Sequence, residues 1–207
     1  MESGTFSVWL VRLNIAVGGL RSFPTQMSCV ARRRCCSPVL ERLVVVCNFL
    51  QKNGLDLALR EVASLGGHIL GVCLGMQFLF EQSSEFGRHL GLGLITGEVR
   101  EIPNISLTGN FEKTPHIGWA DIEIPFEAND DRWQSSILHG LRPGTAMYFA
   151  HSFTAWPGVP EHRIADAFYG GHRIAAAVSK DNVHGTQFHP EKSGTAGLTL
   201  LRNFLEL

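Results

Sequence analysis

The 207-residue chain carries 18 basic and 19 acidic side chains for a formal net charge of −1, with 44% hydrophobic and 18% charged residues. That length supports one well-buried core or two small ones, so a single domain over residues 1–207 is the expectation and a minimal scaffold is excluded. The balance also excludes a disordered polyelectrolyte and leaves no general electrostatic case for nucleic acid.

Five cysteines, Cys29, Cys35, Cys36, Cys47 and Cys73, are an odd number for a disulfide framework, two are adjacent, and none form a C-x-x-C pair. A reduced, cytoplasmic chain without a thiolate metal site follows. Residues 6–20 are apolar but interrupted by Arg12 and Asn14, and no apolar run is long enough to span a bilayer, so this stretch reads as a first strand region and no membrane contact is expected. The run Arg32, Arg33, Arg34 reads as solvated surface.

Regular patterning begins near Leu55. Leu55, Leu59 and Val62 have the spacing of an amphipathic helix over 56–63, and Gly66-Gly67 stops it. An apolar strand over 68–72 and a helix over 76–81 then place Cys73 at a strand-to-helix turn. Strand candidates follow at 97–101, 117–124, 146–153, 163–168, 174–178 and 183–188, separated by Gly, Pro and Asn. A closing helix over 194–205 is expected to bury Leu198, Leu201 and Phe204. This order predicts a three-layer α/β domain with a mixed, largely parallel sheet.

Gly71-Val72-Cys73-Leu74-Gly75 has the form of a nucleophile elbow. A nucleophile on so tight a turn needs very small neighbours two residues away, or their β-carbons collide. The helix that follows brings unsatisfied N–H groups near the sulfur, which favours thiolate, and the N–H of Leu74 is a natural oxyanion donor. Alone, Cys73 reads as a small buried hydrophobe. Its partner is Gln187-Phe188-His189-Pro190-Glu191-Lys192-Ser193, where a strand ends at a histidine with a carboxylate two residues on. A cysteine nucleophile needs a base, and the base needs an orienting group, so Cys73, His189 and Glu191 supply one residue for each role.

With these motifs the sequence resembles the class I (triad) glutamine amidotransferases, and more narrowly the glutaminase subunit of imidazole glycerol phosphate synthase, the histidine-biosynthesis enzyme. The narrower likeness rests on Gly91 to Ile95 (GLGLI), Pro115 to Trp119 (PHIGW), Tyr148 to Ser152 (YFAHS) and the Lys192-Ser193 pair, and covers roughly residues 53–207. The resemblance implies glutamine hydrolysis to glutamate and ammonia. It also implies a separate cyclase barrel, joined as a heterodimer, that uses the ammonia to form imidazole glycerol phosphate and an aminoimidazole carboxamide ribotide. By position, Gln77 and Glu85 match glutamine-binding residues, and the backbone at Ser152 and Phe153 matches the strand that holds the substrate. Trp119, Tyr148 and Lys192 match positions facing the cyclase near the ammonia passage. Taken alone, Trp119 reads as core, Tyr148 as a strand aromatic and Lys192 as a solvated charge. No cofactor is implied. A zinc site from His116, His151 and His189 has no ligand spacing behind it, and His116 and His151 read as structural.

The first quarter departs from the family, which carries a P-G-V-G-A-F-G loop before the helix leading to the elbow; that loop supplies a second oxyanion donor. Here Pro38 is followed by Val39-Leu40-Glu41-Arg42-Leu43-Val44. Yet the codons CCG-GTG-TTG-GAG-CGT-TTG-GTN, after a Ser37 codon ending in C, read CCC-GGT-GTT-GGA-GCG-TTT-GGT in the neighbouring frame, which is P-G-V-G-A-F-G. Residues up to about Cys47 or Asn48 are therefore expected to be translated out of frame, through a genuine frameshift, a sequencing error or an error in the assigned reading frame of the gene. As written, the chain loses a donor and brings Glu41 toward developing negative charge, so a catalytically impaired relative that only binds the cyclase is the alternative reading.

Overall fold

The computed structural model describes the backbone of residues 15–17 and residues 52, 54–85, 87–126 and 130–207. The expectations for 38–48, the glycine-rich loop and its shifted frame, lie outside the described residues. A strand β1 at Ile15–Val17 falls within the expected first strand region.

Helix α1, Leu55–Ser64, begins after Gly54 in the left-handed region and carries Asp56 in its first turn, where the carboxylate meets the positive end of the helix dipole. It ends in a Schellman motif. The N–H of Gly67 donates to Val62 O at 2.9 Å and that of Gly66 to Ala63 O at 3.1 Å, which requires the positive φ that Gly66 supplies.

Strand β2, Ile69–Val72, is buried along its whole length. Ile69 packs into one core cluster and Leu70 into the other, which explains why its sequence is a continuous apolar run rather than an alternating one. The central sheet has the order β1-β2-β11-β10-β9, with β9 at Arg163–Tyr169, β10 at His172–Lys180 and β11 at Val183–Thr186. One face meets α1 and a second sheet ordered β4-β3-β5-β8, built from β3 Phe80–Ser83, β4 His89–Leu90, β5 Ile95–Glu101 and β8 Phe153–Pro157. The other face is covered by the antiparallel pair β6 His116–Ile122 and β7 Thr145–His151, and by helix α3, Gly194–Leu205. These layers form the expected mixed α/β architecture.

Four sequence expectations change. The sheets are mixed but not largely parallel: β2–β11 and β3–β5 are the parallel pairs, and antiparallel pairs outnumber them among the described residues. Short turns join β9 to β10 and β10 to β11, and a tight turn can only reverse the chain. The helix after Cys73 is α2, Leu74–Phe78, five residues long, and the chain turns to strand at Phe80 rather than staying helical to 81. Glu81 and its neighbours are held by β5, whose Gly97 N–H donates to the Glu81 carboxylate at 2.8 Å. The strand expected over 146–153 breaks at Ser152 and passes from β7 to β8 in a different sheet.

Helix α3 buries Gly197, Leu200 and Phe204, whereas Leu198 is exposed and Leu201 only partly buried. A β-carbon on Gly197 would lie 1.9 Å from Pro190 O, so this residue must face the 190–192 turn. That contact sets the rotation of the helix and turns Leu198 outward.

Candidate active site

Parallel pairing of β2 with β11 sets Gly71 beside Gly185 and Val72 beside Thr186, so both strands end at the same edge. Ligand sites of open α/β sheets gather at such carboxyl ends. Cys73 leaves β2 there with φ 53° and ψ −108°, a conformation costly for any residue with a side chain. Its N–H is fixed to Thr186 O at 2.6 Å. The expected elbow sterics are present: a β-carbon on Gly71 would sit 2.6 Å from the carbonyl carbon and oxygen of Gly75. Leu74 opens α2 directly after the sulfur.

The chain beyond β11 delivers His189. Its N–H donates to Tyr148 O at 2.8 Å, and Pro190–Lys192 forms a single 3-10 turn that returns Glu191 to the imidazole. His189 Nδ1 donates to Glu191 Oε1 at 2.8 Å, which leaves Nε2 for the Cys73 sulfur, to which the ring is hydrogen-bonded. Burial alone would lower the His189 pKa. The hydrogen bonds and charges of Cys73 and Glu191 outweigh it and raise the value to about 9. Burial would raise the Glu191 carboxyl, but the hydrogen bond and charge of His189, the residue's own backbone N–H and the Lys192 charge together outweigh it and hold it below its usual range. At neutral pH the histidine is therefore an imidazolium with a proton directed at the sulfur. Buried Ser193 holds the turn in place: its Oγ donates to His189 O at 2.6 Å and accepts the Tyr148 N–H at 3.0 Å.

Gln77, in α2, is buried, and its Nε2 donates to both Phe153 O and Gln187 Oε1 at 3.0 Å. Both amide hydrogens are spent inside the protein, so Oε1 is the end of Gln77 left to meet a donor. Ser152 and Phe153 lie where β7 gives way to β8. Their carbonyls are engaged internally, Ser152 O by Ile102 N–H at 2.9 Å and Phe153 O by Gln77 and by His151 Nδ1 at 2.8 Å. Glu85 is buried on the turn after β3.

Of the residues expected to face a partner, Trp119 and Tyr148 are paired across β6 and β7, their rings edge to face with centroids 5.9 Å apart. Lys192 Nζ lies 5.6 Å over the Tyr148 ring. Trp119 is 58% exposed, so it is not core, and Ile117, equally exposed two residues before it on the same face of β6, belongs to the patch. Sequence reasoning missed Ile117, which strand alternation with Trp119 would have found. It also missed Gln187, whose Nε2 lies 3.6 Å from Cys73 Sγ.

His116 and His151 are buried and neutral, their pKa values lowered by burial to about 4 and about 3. His151 Nδ1 donates to Phe153 O, so its Nε2 is bare and accepts from His116 Nδ1 at 3.2 Å. Both nitrogens of His151 are thus committed within the fold, as a structural role requires.

The family model for class-I glutamine amidotransferases matches residues 51–207. Among curated proteins, imidazole glycerol phosphate synthase subunit HisH 1 of Legionella pneumophila is 43% identical over 149 residues, 72% of this chain and 69% of its own length. HisH of Helicobacter hepaticus is 43% identical over 158 residues, 76% of this chain and 68% of its own length. Among solved structures, a crystal structure of a glutamine amidotransferase superposes with a TM-score of 0.55 at 19% identity, over 79% of this chain and 73% of that one. PurLQS from Thermotoga maritima gives 0.50 at 20% identity, over 73% and 67%; these two likenesses concern the fold alone. The chain therefore belongs to the class-I glutamine amidotransferase family and, within it, to the HisH subunits of imidazole glycerol phosphate synthase, the family its motifs resemble.

Proposed function

We propose that this chain is the glutaminase subunit of imidazole glycerol phosphate synthase, hydrolysing glutamine and handing ammonia to a separate cyclase chain. The observation that carries the reading is the Cys73–His189–Glu191 arrangement on a strained elbow at the shared end of two parallel strands. The Cys73 sulfur attacks the side-chain amide carbon of glutamine, and the Leu74 N–H donates to the oxyanion that forms. His189 Nε2 gives its proton to the departing nitrogen, the C–N bond breaks and ammonia leaves a thioester. Neutral His189 then takes a proton from water as its oxygen attacks the thioester; the C–S bond breaks, the thiolate leaves beside the restored imidazolium, and the glutamate carboxyl loses its proton to solvent. Glu191 keeps the proton-bearing face of the ring toward the sulfur throughout. Gln77 Oε1 is suited to the substrate α-ammonium, and Glu85 and the N–H groups of Ser152 and Phe153 complete the glutamine site.

The patch of Ile117, Trp119, Tyr148 and Lys192 suits the cyclase face, because Tyr148 O holds the His189 N–H and the patch therefore adjoins the point of ammonia release. No helix among the described residues is long and apolar enough to cross a membrane. An odd number of cysteines with no C-x-x-C pair suits a reducing compartment, and we place the enzyme in the cytoplasm.

The test is glutamine hydrolysis, and ammonia transfer to the imidazole-forming intermediate, by the complex with the cyclase and by its Cys73→Ala variant. Activity in the first and none in the second is expected. A second reading, a chain that binds the cyclase without hydrolysing glutamine, is favoured by Val39 and Glu41 standing where the family loop has glycines. Loss of one oxyanion donor costs about 3 kcal/mol, roughly a hundred-fold or more in rate. Equal rates with and without Cys73 select that reading. The coding DNA for residues 1–55 shows whether the loop exists in the neighbouring frame; codons for Ser37 to Val44 that fail to spell it there end the frame-shift proposal.

A further inference from the structure

We propose that Gln187 is the obligate amide donor to the Cys73 sulfur, held in that orientation by a relay that runs from the Phe153 carbonyl through Gln77. The inference rests on the glutaminase reading for its functional meaning, but its geometry stands apart from it.

A carbonyl can only accept, so the group of Gln77 facing Phe153 O must be its NH2. The second hydrogen on the same nitrogen points to the Gln187 side chain, 3.0 Å away, and demands an acceptor there. Gln187 Oε1 is therefore turned to Gln77, and its NH2 faces the sulfur, 3.6 Å away. Flipping the Gln187 amide would set NH2 against NH2 on one side and carbonyl oxygen against sulfur on the other. The backbone of Gln187 cannot drift either, since its N–H donates to Ala176 O at 2.8 Å and the residue is fully buried.

The need for such a donor is visible at the sulfur. The Ala150 carbonyl oxygen lies 3.7 Å from it, a partner that suits a thiol proton and repels a thiolate. Imidazolium His189 favours the thiolate from one side, but it gives up its proton to the leaving nitrogen during turnover. The Gln187 amide carries no proton to lose. It keeps a fixed positive edge on the sulfur at every step, including when the thiolate must leave the tetrahedral intermediate of thioester hydrolysis. The same relay ties the nucleophile to Gln77, so the group proposed to receive the substrate ammonium also sets the environment of the attacking atom.

The test is the pH dependence of Cys73 alkylation by iodoacetamide, read at that residue by peptide mass spectrometry across pH about 5 to about 10. The full chain is used alongside Gln187→Met, which keeps the volume and removes the donor, and Gln187→Glu, which keeps an acceptor for Gln77 but turns a carboxylate to the sulfur. A lost hydrogen bond to a charged group slows alkylation of Gln187→Met at neutral pH by about tenfold and moves the midpoint of the profile upward. Gln187→Glu slows it further. A purely structural role would lower the melting temperature and leave the midpoint in place. Profiles that coincide with that of the unaltered chain overturn the proposal, as does faster alkylation in Gln187→Glu. Should the Met variant not fold, the Glu variant decides alone. Glutamine hydrolysis by the same proteins with the cyclase is measured separately. An unaltered complex no faster than Cys73→Ala overturns the glutaminase reading, while the alkylation profiles still judge Gln187.

Discussion

Gly71→Ala tests the elbow most directly. The added methyl carbon would lie 2.6 Å from the carbonyl carbon and oxygen of Gly75 and 2.7 Å from Met76 N, all backbone atoms that no rotamer change can move aside. Reaching ordinary contact, 3.4 Å, requires β2 and the start of α2 to part by about 0.8 Å. Cys73 lies between them, so the displacement falls on the sulfur and on its hydrogen bond to His189. A misplacement of about 1 Å at reacting groups costs about a hundred-fold in rate, and overpacking a filled core costs about 1–3 kcal/mol in stability. The assay is glutamine hydrolysis by the cyclase complex together with urea unfolding of the isolated chain. Gly66→Ala serves as the control. It lies at φ +80° with nothing within 4 Å, so it strains the α1 cap by about 1 kcal/mol and leaves turnover unchanged. Gly71→Ala with full activity and full Cys73 reactivity would refute the steric account of the G-x-C-x-G spacing.

Further outcomes concern His189, Ser193 and Trp119. Because His189 is raised to about 9, its imidazolium is present below that pH and lost above it; glutaminase rates should fall on the alkaline side as the proton donor disappears, and a rate flat from pH about 8 to about 10 would argue against the assignment. By linkage, the stability this histidine contributes is fully present below its ordinary value of 6.5 and fades as pH rises through about 9, and Cys73→Ala should move its NMR titration downward. Ser193→Ala removes the hydroxyl bonded to His189 O and Tyr148 N–H, and is expected to cost about 1–3 kcal/mol in urea unfolding and to reduce kcat more than substrate affinity. Trp119→Ala should weaken cyclase association by about 1–2 kcal/mol in titration calorimetry while leaving unfolding within about 0.5 kcal/mol, since the ring is exposed in the isolated chain.

Chemistry confined to a few consecutive residues was legible before any fold was known. The glycines flanking Cys73 state their own steric reason, and the two-residue spacing from His189 to Glu191 lets one 3-10 turn bring carboxylate to imidazole. Apolar periodicity located α1, β2 and most later strands, although it followed α2 too far, because Phe78, Leu79 and Phe80 are buried whichever element holds them. The outward face of Trp119, apart from the family resemblance, and the inward face of Leu200 were not legible. Each depends on what a neighbouring element leaves uncovered.

The sequence by itself determined which atoms could do chemistry here: a cysteine on a turn too tight for side chains, a histidine with its own carboxylate, and a family signature spanning residues 51–207. Only the tertiary structure decided that Cys73 and Gln187, 114 residues apart, share a hydrogen bond, and that one carbonyl, Phe153 O, orients both amides between them. The reason is physical. Backbone sterics and short turns act within a few residues and are written in the local chain, whereas the pairing of β2 with β11, and the direction of each buried amide, are set by partners that only the folded sheet brings within reach.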